Sequence, residues 1–147
     1  MRKEKDGLVL ADLQGPGVIY RIWTPTPTDD MLEFYFDSEN RPSIKVKFRD
    51  LFLGKHHVFV RPLVGYGVGG FFSYVPLTYK KSCKVFIRAE SLQFYQINYA
   101  TYPEETPIVS FPKQPANEYK PHLDKAIELF ESCGSDVSSY AIPPVDR

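Results

Sequence analysis

Side chains able to carry acid–base or nucleophilic chemistry are spread thinly along this 147-residue chain. A general acid and a general base would have to come from Asp12, Asp37, Glu39, Asp50, Glu90, Glu104 and Glu105. Asp37 and Asp50 have ordinary structural readings: the first opens a turn, and the second caps a short helical turn at 50–53. His56 and His57 are adjacent, and neighbours on a strand point to opposite faces, so they read as loop histidines rather than ligands of one metal. His122 stands alone. Gly67-Val68-Gly69-Gly70 precedes a strand and lacks the Lys-Ser/Thr of a phosphate loop. No Ser/His/Asp or Cys/His spacing supports nucleophilic catalysis. Cys83 and Cys133 read as free thiols packed as small hydrophobes. Neither a catalytic residue, a metal ligand nor a cofactor is assigned.

Aromatic side chains are the larger resource. Ten Tyr, eleven Phe and one Trp make up 15% of the chain, enough to build a surface as well as a core. Sugars stack on exposed aromatic faces, and Tyr20, Trp23, Tyr35, Tyr66, Phe72 and Tyr74 could line such a platform. The competing reading buries most of them in a sandwich core or an interdomain face. Arg21 and Trp23, which share a face of the strand after Gly15-Pro16-Gly17, are assigned to substrate binding, and Tyr74 beside Pro76 joins them.

These residues sit on a period-two pattern. Leu32, Phe34 and Phe36 alternate with Glu33, Tyr35 and Asp37, and Ile44, Val46 and Phe48 with Lys45, Lys47 and Arg49. Val18, Tyr20 and Ile22 alternate with Ile19, Arg21 and Trp23. Leu8–Leu13, Phe71–Val75, Cys83–Glu90 and Phe94–Tyr102 add further strands, with Gly15-Pro16-Gly17 as a tight turn and Gly65–Gly70 as a flexible loop. About eight short strands with turns every 8–12 residues make an all-β sandwich or barrel. Prolines 103, 107, 112, 115 and 121 punctuate a connection at 103–120. Leu123, Ala126, Ile127 and Phe130 then recur at helical spacing, giving one helix near 121–133 with Gly134 as its terminator.

Eighteen basic residues balance eighteen acidic ones, which argues against a nucleic-acid partner. No apolar stretch is long enough to span a membrane, and no signal peptide is read after Met1, so the chain reads as soluble, of unknown compartment.

Four segments carry a resemblance: Gly15–Trp23, Leu32–Asp37, Asp50–Gly54 and Gly70–Ser82. In that order they resemble the family long called domain of unknown function 2961, now grouped with glycoside hydrolase family 172, which acts on fructofuranose-containing saccharides. The resemblance implies a jelly-roll sandwich at 1–102, the connection at 103–120, and a helix and tail at 121–147 leading toward a second jelly roll. Family members are roughly twice as long, so this chain is expected to be their first half. One family glutamate lies in a Gly-Thr-Gly-Thr-Glu-Asp-Tyr-like motif of the second half, and no such motif occurs here. A glycosidase needs two carboxylates, about 5–5.5 Å apart for retention, and no pair can be assigned. The resemblance therefore implies a saccharide partner, no turnover by this chain alone, and association with a second half or with further copies. A stand-alone carbohydrate-binding or assembly sandwich is the alternative.

Overall fold

The computed structural model describes residues 1–111 and 117–133. The elements begin β1 (Arg2–Glu4), β2 (Gly7–Gln14), β3 (Gly17–Thr24), β4 (Met31–Phe36), β5 (Ile44–Lys47) and the short helix α1 (Phe48–Phe52). They continue β6 (Val64–Gly67), β7 (Gly70–Ser73), β8 (Leu77–Tyr79), β9 (Ser82–Arg88), β10 (Gln96–Thr101) and α2 (Lys120–Glu131). One sheet has the order β1-β2-β9-β4-β5, the other β10-β3-β7-β6, and every pairing is antiparallel. β8 also pairs with β3, at Gly17–Ile19, while β7 pairs at Ile22–Thr24. Since β10 occupies the whole opposite edge of β3, β7 and β8 form one interrupted strand. The late strand β9 enters between the early strands β2 and β4, and the interrupted β7–β8 lies against β3. That rolled pairing of distant segments makes the sandwich a jelly roll.

The period-two signal is what closes the core. Leu32, Phe34 and Phe36 of β4 and Ile44 and Val46 of β5 are buried, with Cys83, Val85 and Ile87 of β9 on the same face. They meet Ile19 and Ile22 of β3 and Leu77 and Tyr79 of β8 from the other sheet. Lys45 and Lys47 stay exposed. α1 plugs one end with Phe48, Leu51 and Phe52. Among the described residues no helix is long and apolar enough to cross a membrane.

Several local expectations are corrected. Ten strands form rather than about eight, because the short segments Arg2–Glu4, Val64–Gly67 and Leu77–Tyr79 also pair, which makes Gly65–Gly70 part of a hairpin rather than a loop. Val68 and Gly69 take φ of +49° and +80°, the left-handed pair that suits a two-residue turn between twisted strands. Gly15-Pro16-Gly17 does connect two strands as expected, and because β2 and β3 lie in different sheets it carries the chain across the sandwich. The alternation in β3 breaks at Tyr20. Ile19 pairs with Tyr99 and Arg21 with Asn98, which leaves Tyr20 as an extra residue, a bulge. Ile19 and Ile22 therefore both face the core, while Tyr20 is exposed and Arg21 and Trp23 remain half-buried outside it. β10 starts at Gln96 rather than Phe94, and Phe94 is exposed. α1 begins two residues before Asp50, so Asp50 caps nothing and instead pairs with Lys55 at 3.2 Å.

The described parts of the connection after β10 dock against the sandwich. Phe111 donates its amide to Thr78 and its ring lies 6.2 Å from Phe36. Thr78 Oγ1 donates to the Val109 carbonyl at 2.8 Å. Tyr119 packs edge-on against Phe111 at 4.5 Å and donates its hydroxyl to the Pro76 carbonyl at 2.9 Å. This anchors the start of α2, where Pro121 fits the first turn and Leu123 is buried. Pro112, Pro115, Gly134 and the tail at 135–147 lie outside the described residues.

Candidate functional site

The register of the second sheet sets one row of side chains across its outer face. Gln96 of β10 pairs with Trp23 of β3, Trp23 with Phe72 of β7, and Phe72 with Gly65 of β6. Two glycines make room for the rings. A Cβ on Gly65 would sit 3.1 Å from the Phe72 ring, and one on Gly70 only 2.3 Å from Trp23 Nε1. The aromatic pair thus lies flat along the sheet, the hairpin backbone serving as its floor.

Arg21 stands beside this row. Its Nη1 donates to Gln96 Oε1 at 2.9 Å and to Asn98 Oδ1 at 3.1 Å, and its Cζ lies 5.9 Å from the Trp23 ring centroid. Tyr74 follows β7, its amide held by the Leu63 carbonyl at 2.8 Å, and its ring lies 5.4 Å from Phe72. The C-terminal half of α2 leans over the same face: Phe130 lies 6.1 Å from Phe72 and 5.6 Å from Tyr74. Together these groups wall an open hollow of about 930 Å³. Arg21, Trp23 and Tyr74 all line it, so the three residues singled out in the sequence converge on one place. None of the described residues lining the hollow is a carboxylate.

The rest of the expected platform divides. Phe72 belongs to the hollow. Tyr35 lies on the opposite sheet and donates its hydroxyl to Glu33 at 2.8 Å. Tyr66 turns its ring edge-on to Phe71 at 4.9 Å, and Tyr20 sits on the bulge. Gln96, Asn98 and Phe130 were given no role from sequence. The first two alternate along β10, but only the strand register reveals that they face Arg21. Phe130 reads as one member of a helical stripe until the helix is docked.

The carboxylates are occupied elsewhere. Asp37 has φ of +51°, and its Oδ1 accepts from the amides of Lys81 at 2.6 Å and Ser82 at 3.3 Å, while Oδ2 accepts from the Ser110 hydroxyl. Burial pushes its pKa up, but the Ser110 hydroxyl and those amides outweigh burial and hold it below the ordinary value. It is a clasp between two turns and the connection. Asp12 and Glu39 share a small polar hollow of about 320 Å³, where Asp12 pairs with Arg2 at 2.9 Å and Glu39 accepts from Ser43 at 2.5 Å. Glu33, on the face opposite Leu32, Phe34 and Phe36, is nevertheless 1% exposed. Arg88 grips it with two bonds of 2.9 and 3.0 Å, and Lys45 stands 3.5 Å away. Burial raises its pKa, yet Arg88, Tyr35 and Lys45 together hold it below the ordinary value, as a satisfied structural ion. Glu90 lines a shallow hollow beside Glu4, Asp6 and Arg88.

His56 and His57 are loop histidines, but they do not point to opposite sides. They lie in a turn with their rings stacked at 4.4 Å, and His56 Nδ1 accepts from the Val58 amide at 3.3 Å. Among the described residues no group of three or more His, Cys, Asp or Glu could hold a metal. Cys83 is buried and Cys133 exposed, both free thiols. Burial pushes the Cys83 thiol up to about 12, so it is inert at neutral pH.

A family model described as the GH172 first beta-sandwich domain matches residues 1–119. No curated protein matches the chain. The matched span takes in both sheets, every strand that floors the hollow and the chain as far as Tyr119. On that match, and on the antiparallel sandwich it covers, the chain belongs to the GH172 family as its first β-sandwich domain.

Proposed function

We propose that this domain is the non-catalytic first half of a glycoside hydrolase acting on fructofuranose- or arabinofuranose-type saccharides. Its part is to hold the sugar against the outer face of the second sheet, with Trp23 as the stacking surface, Arg21 and its amide partners as hydrogen-bonding groups, and Tyr74 at the rim. The observation that carries this reading is the convergence of Arg21, Trp23 and Tyr74 on one hollow whose described lining holds no carboxylate. Such a surface has the flat apolar face and fixed polar groups a sugar needs, and no acid–base pair to cleave it. Cleavage would come from carboxylates supplied by a second half, and the same face would carry contacts between halves or copies.

A second reading, a stand-alone carbohydrate-binding module, draws on α2. The helix covers part of the aromatic face with Phe130, so the sheet does not depend on another chain for that contact.

The purified chain should release no product from aryl arabinofuranosides or fructofuranosides, yet bind their unreactive methyl glycosides in calorimetry. Replacing Trp23 by Ala should weaken that binding about tenfold, the size of a well-stacked aromatic contact. Turnover by the chain alone, or binding unaffected by Trp23→Ala, would overturn the proposal.

A further inference from the structure

A neutral sugar on an aromatic face does not require a cation, yet the hollow contains one with no counter-charge. Arg2, Arg49 and Arg88 each face a carboxylate. Arg21 instead spends its Nη1 on two neutral amide oxygens, Gln96 at 2.9 Å and Asn98 at 3.1 Å, which fix its position without neutralising it. Among the described residues no carboxylate pairs with it, and none lines the hollow. A guanidinium has five N–H donors in a planar fork. With Nη1 turned to the amides, the Nε and Nη2 edge is left without an acceptor among the described residues, and that edge has the geometry that grips a carboxylate with two parallel bonds. The Trp23 ring 5.9 Å away supplies a flat wall beside the cation rather than a negative charge.

We propose that the hollow is a subsite for a saccharide bearing a carboxylate, which docks on the Nε/Nη2 edge of Arg21 while the sugar ring lies on Trp23. This rests on the saccharide-binding reading above and adds the charge of the ligand to it. Gln96 and Asn98 act as positioning residues: they hold Nη1 in place, so little side-chain freedom is lost on binding.

Trp23 is the single tryptophan of the chain, so its fluorescence reports the hollow directly. Three probes are titrated: methyl α-arabinofuranoside, the same ring carrying a carboxylate at C5, and acetate. The carboxylate sugar should bind about tenfold or more tightly than either the neutral sugar or acetate, as a bidentate charged pair added to stacking requires. Arg21→Gln should abolish that preference, so that the carboxylate sugar binds no more tightly than the neutral one. Arg21→Lys, which keeps the charge but loses the fork, should retain only part of it, and decides the matter if the Gln variant unfolds. Equal affinity for the two sugars overturns the carboxylate assignment while the neutral-furanoside reading stands. Acetate as tight as the carboxylate sugar overturns it too, because the ring would then add nothing. Failure of both sugars to bind overturns this inference and the saccharide reading together.

Discussion

Replacing Gly70 by Ala tests whether the glycines under the aromatic row are there for space. Gly70 is the first residue of β7 and does not occupy the left-handed region, so an alanine there carries no backbone penalty. In open space the change would stabilise by about 0.4–1 kcal/mol by stiffening the unfolded chain. Here the new methyl would lie 2.3, 2.4 and 2.5 Å from Nε1, Cε2 and Cζ2 of Trp23. The indole must retreat as a rigid body by roughly 1 Å before those atoms reach ordinary contact, and overpacking of this kind costs about 1–3 kcal/mol. The net expectation is a loss of about 1–2 kcal/mol in urea unfolding, with a shift in Trp23 emission as the ring tilts out of the hollow. Unchanged or increased stability with unaltered emission would refute the argument, since it would mean that the ring does not lie over Gly70.

Three further expectations concern groups away from the hollow. Arg88→Ala strips both short bonds from the buried Glu33 carboxylate and should cost about 1.5 kcal/mol, moderated because Arg88 itself is half-exposed. A cycle with Glu33→Gln should show coupling above about 0.5 kcal/mol, and additivity would contradict the ion pair. Tyr79→Phe should be neutral or stabilising by up to about 1 kcal/mol, because the buried Tyr79 hydroxyl has no hydrogen-bond partner; a clear loss in thermal unfolding would reveal one. Asp37 has a depressed folded pKa, so the unfolded chain takes up its proton first as pH falls. Its contribution is therefore present above about pH 4 and fades below that. The stability gap between wild type and Asp37→Asn should shrink between about pH 6 and pH 3, and a gap that widens would contradict the sign.

The fold was legible where one face of a strand is wet. β4 and β5 show Leu32, Phe34, Phe36, Ile44 and Val46 against polar and charged neighbours, and the buried apolar set follows the alternation, with the buried Glu33 as the exception. It failed where register matters more than pattern. The bulge at Tyr20 inserts one residue, so Ile19 and Ile22 share the core although their parity differs, and nothing local in Val-Ile-Tyr-Arg-Ile-Trp marks the slip. The hairpin at Val68–Gly69 was hidden because valine seldom takes a positive φ. Arg21, Trp23 and Tyr74 could be picked out as a polar group among aromatics near turns, whereas Gln96, Asn98 and Phe130 enter the site only through pairings across 50 or more residues of chain. Glu33 shows the same limit: alternation places it on the outer face, but only three-dimensional neighbours reveal that Arg88, Tyr35 and Lys45 bury it.

The most direct test of the central claim is to map amide and indole shifts by nuclear magnetic resonance while titrating methyl α-arabinofuranoside into the intact chain. Saturable shifts should cluster at Arg21, Trp23, Phe72, Tyr74 and Gln96, and the glycoside should be intact at the end of the titration. Shifts confined to the Asp12–Glu39 hollow of the other sheet, or a hydrolysed ligand, would contradict that claim.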